Sequence, residues 1–136
     1  DMIKALGTIK GYYDYGIFQA VQIAAIIAMR TGDDHIEKQA LIYQERRDVL
    51  VKGLRKLGWS VESPRGTMFV WAKVSPEHLA PYHGSTNDFC LAMVDQAEVA
   101  ITPGAAVGPR GEGYVRMALV ENEHRIKQAL RQLARA

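Results

Sequence analysis

Residues Tyr114-Val115-Arg116-Met117-Ala118-Leu119-Val120 read as an apolar strand carrying a single cation. A glycine-rich stretch leads into it, Thr102-Pro103-Gly104-Ala105-Ala106-Val107-Gly108-Pro109-Arg110-Gly111-Glu112-Gly113. Arginine does not shed its proton and is almost never fully buried without a partner. Its planar fork suits a carboxylate held by two parallel hydrogen bonds. No acid stands beside Arg116 within the strand. Two readings stay open at this point. Arg116 lies on an edge strand with its stem on the sheet and its head in water, or its counter-ion comes from elsewhere in the fold or from a ligand.

The residues around this strand alternate in period. Trp59-Ser60-Val61-Glu62 reads as a short strand and Ser63-Pro64-Arg65-Gly66 as a turn. Thr67 to Val74 is a second strand, with Met68, Val70, Ala72 and Val74 on one face and Phe69, Trp71 and Lys73 on the other. A loop from Ser75 to Gly84 precedes a helix opened by Ser85 and Asp88, which turns Phe89, Ala92 and Met93 inward. Val99-Ala100-Ile101 reads as a strand entering the glycine-rich stretch. Asn122 caps a last helix whose stripe is Ile126, Ala129, Leu130 and Leu133. The order β-β-α-β-β-α predicts an α/β sandwich, with helices on one face of a mostly antiparallel sheet.

The first part of the chain is different. Residues from Met2 to Ile9 read as the end of a helix, and Gly11-Tyr12-Tyr13-Asp14-Tyr15-Gly16 as a turn. Ile17 to about Arg30 is helical and apolar nearly all round, so it requires cover on nearly every side. A chain this small has little interior to offer. The expected cover is a partner subunit or a missing part of a larger protein. Gly32 is expected to cap that helix, and Asp34 with Glu37 to open a long one that Gly58 ends. The run Glu45-Arg46-Arg47-Asp48 on it reads as a solvated face. The expected division is therefore 1–32, a loop and apolar interface helix; 33–58, a long connecting helix; and 59–136, a small α/β domain.

The 136 residues match one ordinary domain, and 48% hydrophobic with 24% charged residues is a globular composition. The net charge of +2 is spread among both signs, which excludes the basic stripe of a nucleic-acid binder. Cys90 is the single cysteine, so an internal disulfide is excluded and a reducing, cytoplasmic setting is expected. Its helical context makes it a small core residue. The longest apolar run, Ile23 to Met29, is far too short to span a bilayer. The sequence opens at Asp1, as a fragment, a processed product or a chain with a cloning scar at Met2 would. His35, His78, His83 and His124 show no zinc-site spacing and read as surface residues. The glycine-rich stretch lacks a dinucleotide fingerprint and is followed by a strand, so it is no standard phosphate cradle. Its glycines serve tight turns and close backbone approach.

Five segments in order resemble the C-terminal part of class I/II aminotransferases, pyridoxal-phosphate enzymes of fold type I. They are Tyr12-Tyr13-Asp14-Tyr15-Gly16-Ile17-Phe18, Arg46-Arg47-Asp48-Val49-Leu50, Met68-Phe69-Val70-Trp71-Ala72-Lys73, Thr102-Pro103-Gly104, and Val115 to Asn122. The nearest branch is that of alanine/glutamate transaminases and LL-diaminopimelate aminotransferases. The resemblance covers essentially the whole chain but only the small-domain portion of such an enzyme. It implies transfer of an amino group between an amino acid and a 2-oxo acid, with Arg116 binding the substrate α-carboxylate. It implies that Tyr15 approaches the cofactor of a partner subunit in a homodimer. It also implies that the lysine forming a Schiff base with pyridoxal 5'-phosphate, the acid on the pyridine nitrogen and the phosphate loop lie on a large domain upstream. Lys4, Lys10, Lys38, Lys52, Lys56, Lys73 and Lys127 all lack the Ser-Lys context of that lysine. The isolated chain is then expected to be inactive and to hold no cofactor stably. The alternative is a non-catalytic, truncated module acting through dimerisation or small-carboxylate binding.

Overall fold

The computed structural model describes residues 1–136. The chain runs through α1 (Met2–Asp14), α2 (Gln19–Thr31), α3 (Asp33–Lys56), β1 (Ser60–Val61), β2 (Phe69–Lys73) and α4 (Pro76–Leu79). It continues through α5 (Thr86–Ala97), β3 (Thr102–Pro103), β4 (Tyr114–Ala118) and α6 (Glu123–Leu133). Two units form, Asp1–Gln39 and Ala40–Ala136.

In the first unit, α1 and α2 bury no residue. Ile27 is 56% exposed and Met29 is 75% exposed, so the apolar surface of α2 is uncovered. The turn expected over 11–16 is shorter than the glycines imply. α1 runs on through Gly11 to Asp14 and ends where Tyr15 turns left-handed at φ 52°. Asp14 supplies the reason: its carboxylate accepts from Lys10 Nζ one turn back (2.9 Å) and from the Gly16 amide (3.0 Å). Gly32 ends α2 with right-handed φ, not as a left-handed cap.

The second unit is built on a four-stranded sheet of order β1-β2-β4-β3, every neighbouring pair antiparallel. Strand alternation divides its faces. Val70, Ala72, Val115 and Met117 are buried, while Phe69, Trp71, Lys73, Tyr114 and Arg116 lie on the opposite, more open face. The buried face packs with Leu50, Val51 and Leu54 of α3, Phe89, Cys90 and Met93 of α5, and Ile126 and Leu133 of α6. Helices on one face of an antiparallel sheet is the architecture the periodicity predicts. Gly53 on α3 admits the Leu130 side chain, into which a Cβ would run.

The expected caps form: Ser85 Oγ accepts from the Asp88 amide (3.2 Å) and Asn122 Oδ1 from the Arg125 amide (3.0 Å). The strand expected at Val99–Ile101 starts later, at Thr102. Glu98 closes α5 in a left-handed conformation and the Val99 amide bonds back to Met93 O (3.1 Å), so those residues complete the helix end. The charge run on α3 is likewise not a purely solvated face. Arg46 donates to Leu119 O (3.0 Å) and Val120 O (3.2 Å), and Arg47 to Pro64 O (3.1 Å). Both are long enough to lie along the helix and reach carbonyls of the connections after β4 and between β1 and β2.

Candidate functional site

Arg116 is on an interior strand. β4 lies between β2 and β3, and Arg116 is in register with Trp71 on one side and Thr102 on the other. This removes the edge-strand reading, because both flanks of the backbone at Arg116 are occupied by neighbours. The side chain is half-buried and stands on the face away from the helices. Its guanidinium carbon sits 4.5 Å from the centroid of the Phe69 ring. The ion pairs of the chain are Lys10–Asp14, Arg46–Glu123 and Arg47–Asp48, and Arg116 enters none of them.

A cleft of about 1020 Å³ opens over this face. Its charged lining is Arg65, Lys73, Arg110 and Arg116 against the single carboxylate of Glu62. Four cations facing one acid leave a positive field that attracts anions, more strongly inside a concave surface than on a flat one. The floor is aromatic: Trp71 stacks on Tyr114 with centroids 5.6 Å apart and planes 13° from parallel, and Lys73 Nζ lies 5.9 Å from the Tyr114 centroid. Thr67 lines the same cleft with φ 71°. A β-branched residue in that region is strained and holds only where its surroundings dictate it.

The glycine-rich stretch buttresses the start of β4. Its chain forms two 3₁₀ turns, Gly104–Val107 and Pro109–Gly111. Gly104 and Gly111 pack backbone to backbone, so that a Cβ on either would overlap the other's carbonyl. Gly104 also abuts the Trp71 ring edge. Glu112 fastens the stretch to α5: one carboxylate oxygen accepts from the Thr86 amide (2.7 Å) and the Thr86 hydroxyl (2.8 Å). These bonds, the amide's first, hold the Glu112 carboxyl below its ordinary value.

Sequence reading singled out Arg116 but not its cationic neighbours Arg65 and Arg110, nor Phe69 and Thr67. The Pro-Arg-Gly turn and the glycine-rich stretch carry no local mark of a shared cleft. Tyr15 is 90% exposed in the first unit. Cys90 is buried, and burial first, then the Glu112 charge, pushes its thiol up to about 11. His35, His83 and His124 are exposed, while His78 is half-buried, bonded to Ser75 Oγ (2.5 Å) and edge-on to Trp59. No helix is long and apolar enough to cross a membrane.

This sheet, its helices and its arginine define a class of domain that comparison makes explicit. Residues 4–133 match the family described as aminotransferase class I and II. The chain belongs to that family. Its sequence is 45% identical over 131 residues to the glutamate-pyruvate aminotransferase AlaC of Escherichia coli, covering 96% of this chain and 31% of that protein. It is 44% identical to the LL-diaminopimelate aminotransferase of Halothermothrix orenii, covering 98% of this chain and 33% of that one. Among solved structures, a probable N-succinyldiaminopimelate aminotransferase from Thermus thermophilus superposes with TM-score 0.87 at 26% identity, over 98% of this chain and 34% of that one. An aminotransferase from Staphylococcus aureus gives 0.85 at 28% identity, over 98% of this chain and 34% of that one. The chain thus spans about a third of the length of the relatives it matches.

Proposed function

We propose that this chain is the substrate-orienting part of a pyridoxal-phosphate-dependent aminotransferase, which moves an amino group between an amino acid and a 2-oxo acid, and that Arg116 binds the substrate α-carboxylate. The observation carrying this is a guanidinium on an interior strand, free of any ion pair, facing a cleft richer in cations than in acids. A carboxylate gains two parallel charge-assisted hydrogen bonds there from a guanidinium that enters no ion pair within the chain.

The residues of this chain do not fit the cofactor by themselves. Lys73 is the lysine lining the cleft, with its head over the Tyr114 ring, and the carboxylate lining it is Glu62 on the β1 side. A pyridoxal site needs a lysine, an acid at the pyridine nitrogen and a phosphate cradle converging on one ring. The cofactor supplies the carbanion chemistry in such enzymes, while the protein orients and polarises. On this reading the chain contributes orientation, and residues 59–136 are the small domain that does it. Residues 33–58 connect this domain to the rest. Residues 1–32 meet a partner subunit or the large domain, with Tyr15 toward the partner's cofactor, and the uncovered apolar surface of α2 supports that role. A homodimer in the cytoplasm is the matching assembly.

Borohydride reduction after incubation with pyridoxal phosphate tests this division. Scattered or absent lysine labelling in the 136-residue chain is the expected result. Stoichiometric labelling of one lysine would show that the chain builds its own cofactor site.

A further inference from the structure

We infer that Phe69 is a positioning residue for Arg116, stacking under the guanidinium so that its N–H edge is presented to the substrate carboxylate. This rests on the assignment of Arg116 as the carboxylate ligand. A guanidinium has two working surfaces. Its faces are weakly hydrated and stack on aromatic rings, and its rim carries the hydrogen-bond donors. A ring beneath the face takes up the first surface and leaves the second free.

The register explains why Phe69 takes this role. Arg116 is directly opposite Trp71, and Phe69 is directly opposite Ala118. Phe69 is thus the diagonal neighbour of Arg116 on the same outward face, at a separation that long and aromatic side chains bridge. Trp71, the ring nearest in register, is already stacked on Tyr114. Ala118 projects only a methyl group beside Phe69, so the arginine has room to lie over that ring. Phe69 opens β2 two residues after Thr67, whose left-handed backbone belongs to the preceding turn. Arginine has many rotamers, and a contact that selects one before substrate arrives reduces the ordering cost of binding.

The test follows the Nε–H resonance of Arg116 in the full isotope-labelled chain, assigned by its loss in Arg116→Lys, during titration with pyruvate. Wild type is expected to show a ring-shifted resonance that responds saturably. Phe69→Tyr should preserve both properties. Phe69→Leu should abolish the ring shift and weaken pyruvate binding about three- to tenfold, with the amides of Val70 and Val115 unmoved. Equal affinity in Phe69→Leu and wild type would overturn the positioning role while leaving Arg116 as the carboxylate ligand. A wild-type resonance indifferent to pyruvate would overturn that assignment and the positioning role with it. A measurement on wild type alone serves if Phe69→Leu fails to fold: an Arg116 Nε–H order parameter below about 0.6 means that no ring holds the side chain, and the inference fails.

Discussion

Arg46 holds the carbonyl of Leu119 at 3.0 Å, across 73 residues of sequence. Its second bond, to Val120 O at 3.2 Å, ties α3 to the segment joining β4 and α6, and an approach of its Nε to Glu123 at 3.6 Å reaches the first residue of α6. The end of the strand that carries Arg116 is therefore anchored from a different element. Arg46→Ala removes a charged donor from two carbonyls and is expected to cost about 1–3 kcal/mol. Urea unfolding checks it, read as a lowered midpoint at unchanged slope. Arg46→Lys should recover only part of the loss, because one ammonium replaces a fork.

Arg116→Ala, in a protein of full family length, is expected to lower kcat/KM for carboxylate substrates by a factor corresponding to about 2–5 kcal/mol. Steady-state kinetics at matched fold stability measure it. An unchanged apparent substrate affinity would refute the assignment of the carboxylate to this residue.

Gly104→Ala drives a methyl group into the Gly111 and Tyr114 carbonyls and toward Trp71. Backbone does not yield as a flexible side chain does, so the expected cost is about 2 kcal/mol or more. Gly66→Ala is the matched control, because nothing lies within 4 Å of its added Cβ and its φ is not positive. Thermal unfolding of the two variants should separate them clearly.

Glu112 makes the tie between the glycine-rich stretch and α5 pH-dependent. Its folded pKa is depressed by the Thr86 bonds. A depressed carboxylate adds stability above its unfolded pKa and loses that contribution as pH falls through the folded value. The unfolded reference is 4.5, so the contribution is complete near neutrality and declines in acid below that value. Glu112→Gln keeps an acceptor oxygen but cannot titrate. The stability difference between wild type and Glu112→Gln should therefore shrink from pH 7 toward pH 3, measured by denaturant midpoints. A difference independent of pH would show that the carboxylate charge plays no part.

Much of the second unit was legible locally. The alternation of Val70 and Ala72 with Phe69, Trp71 and Lys73 reports directly which face of β2 is buried, because side chains alternate at period two whatever the strand pairs with. Ser85 and Asn122 act on amides three residues away, so their capping is visible in the sequence itself. β3 starts at Thr102 and not at Val99 because closing α5 takes up Val99, a matter of helix-end geometry that apolar character does not report.

Local pattern along the chain specifies most elements of the second unit, the buried side of its strands and an arginine with no acid beside it. Those properties depend on residues two to four positions apart. Long-range packing makes β4 interior, puts Phe69 rather than Trp71 under Arg116, and brings Arg65 and Arg110 into the same cleft. It also turned Arg46 and Arg47 from an apparent solvated face into ties on distant carbonyls. Strand order and long side-chain reach depend on how the whole core packs, and residues some seventy positions apart meet only when that packing is complete.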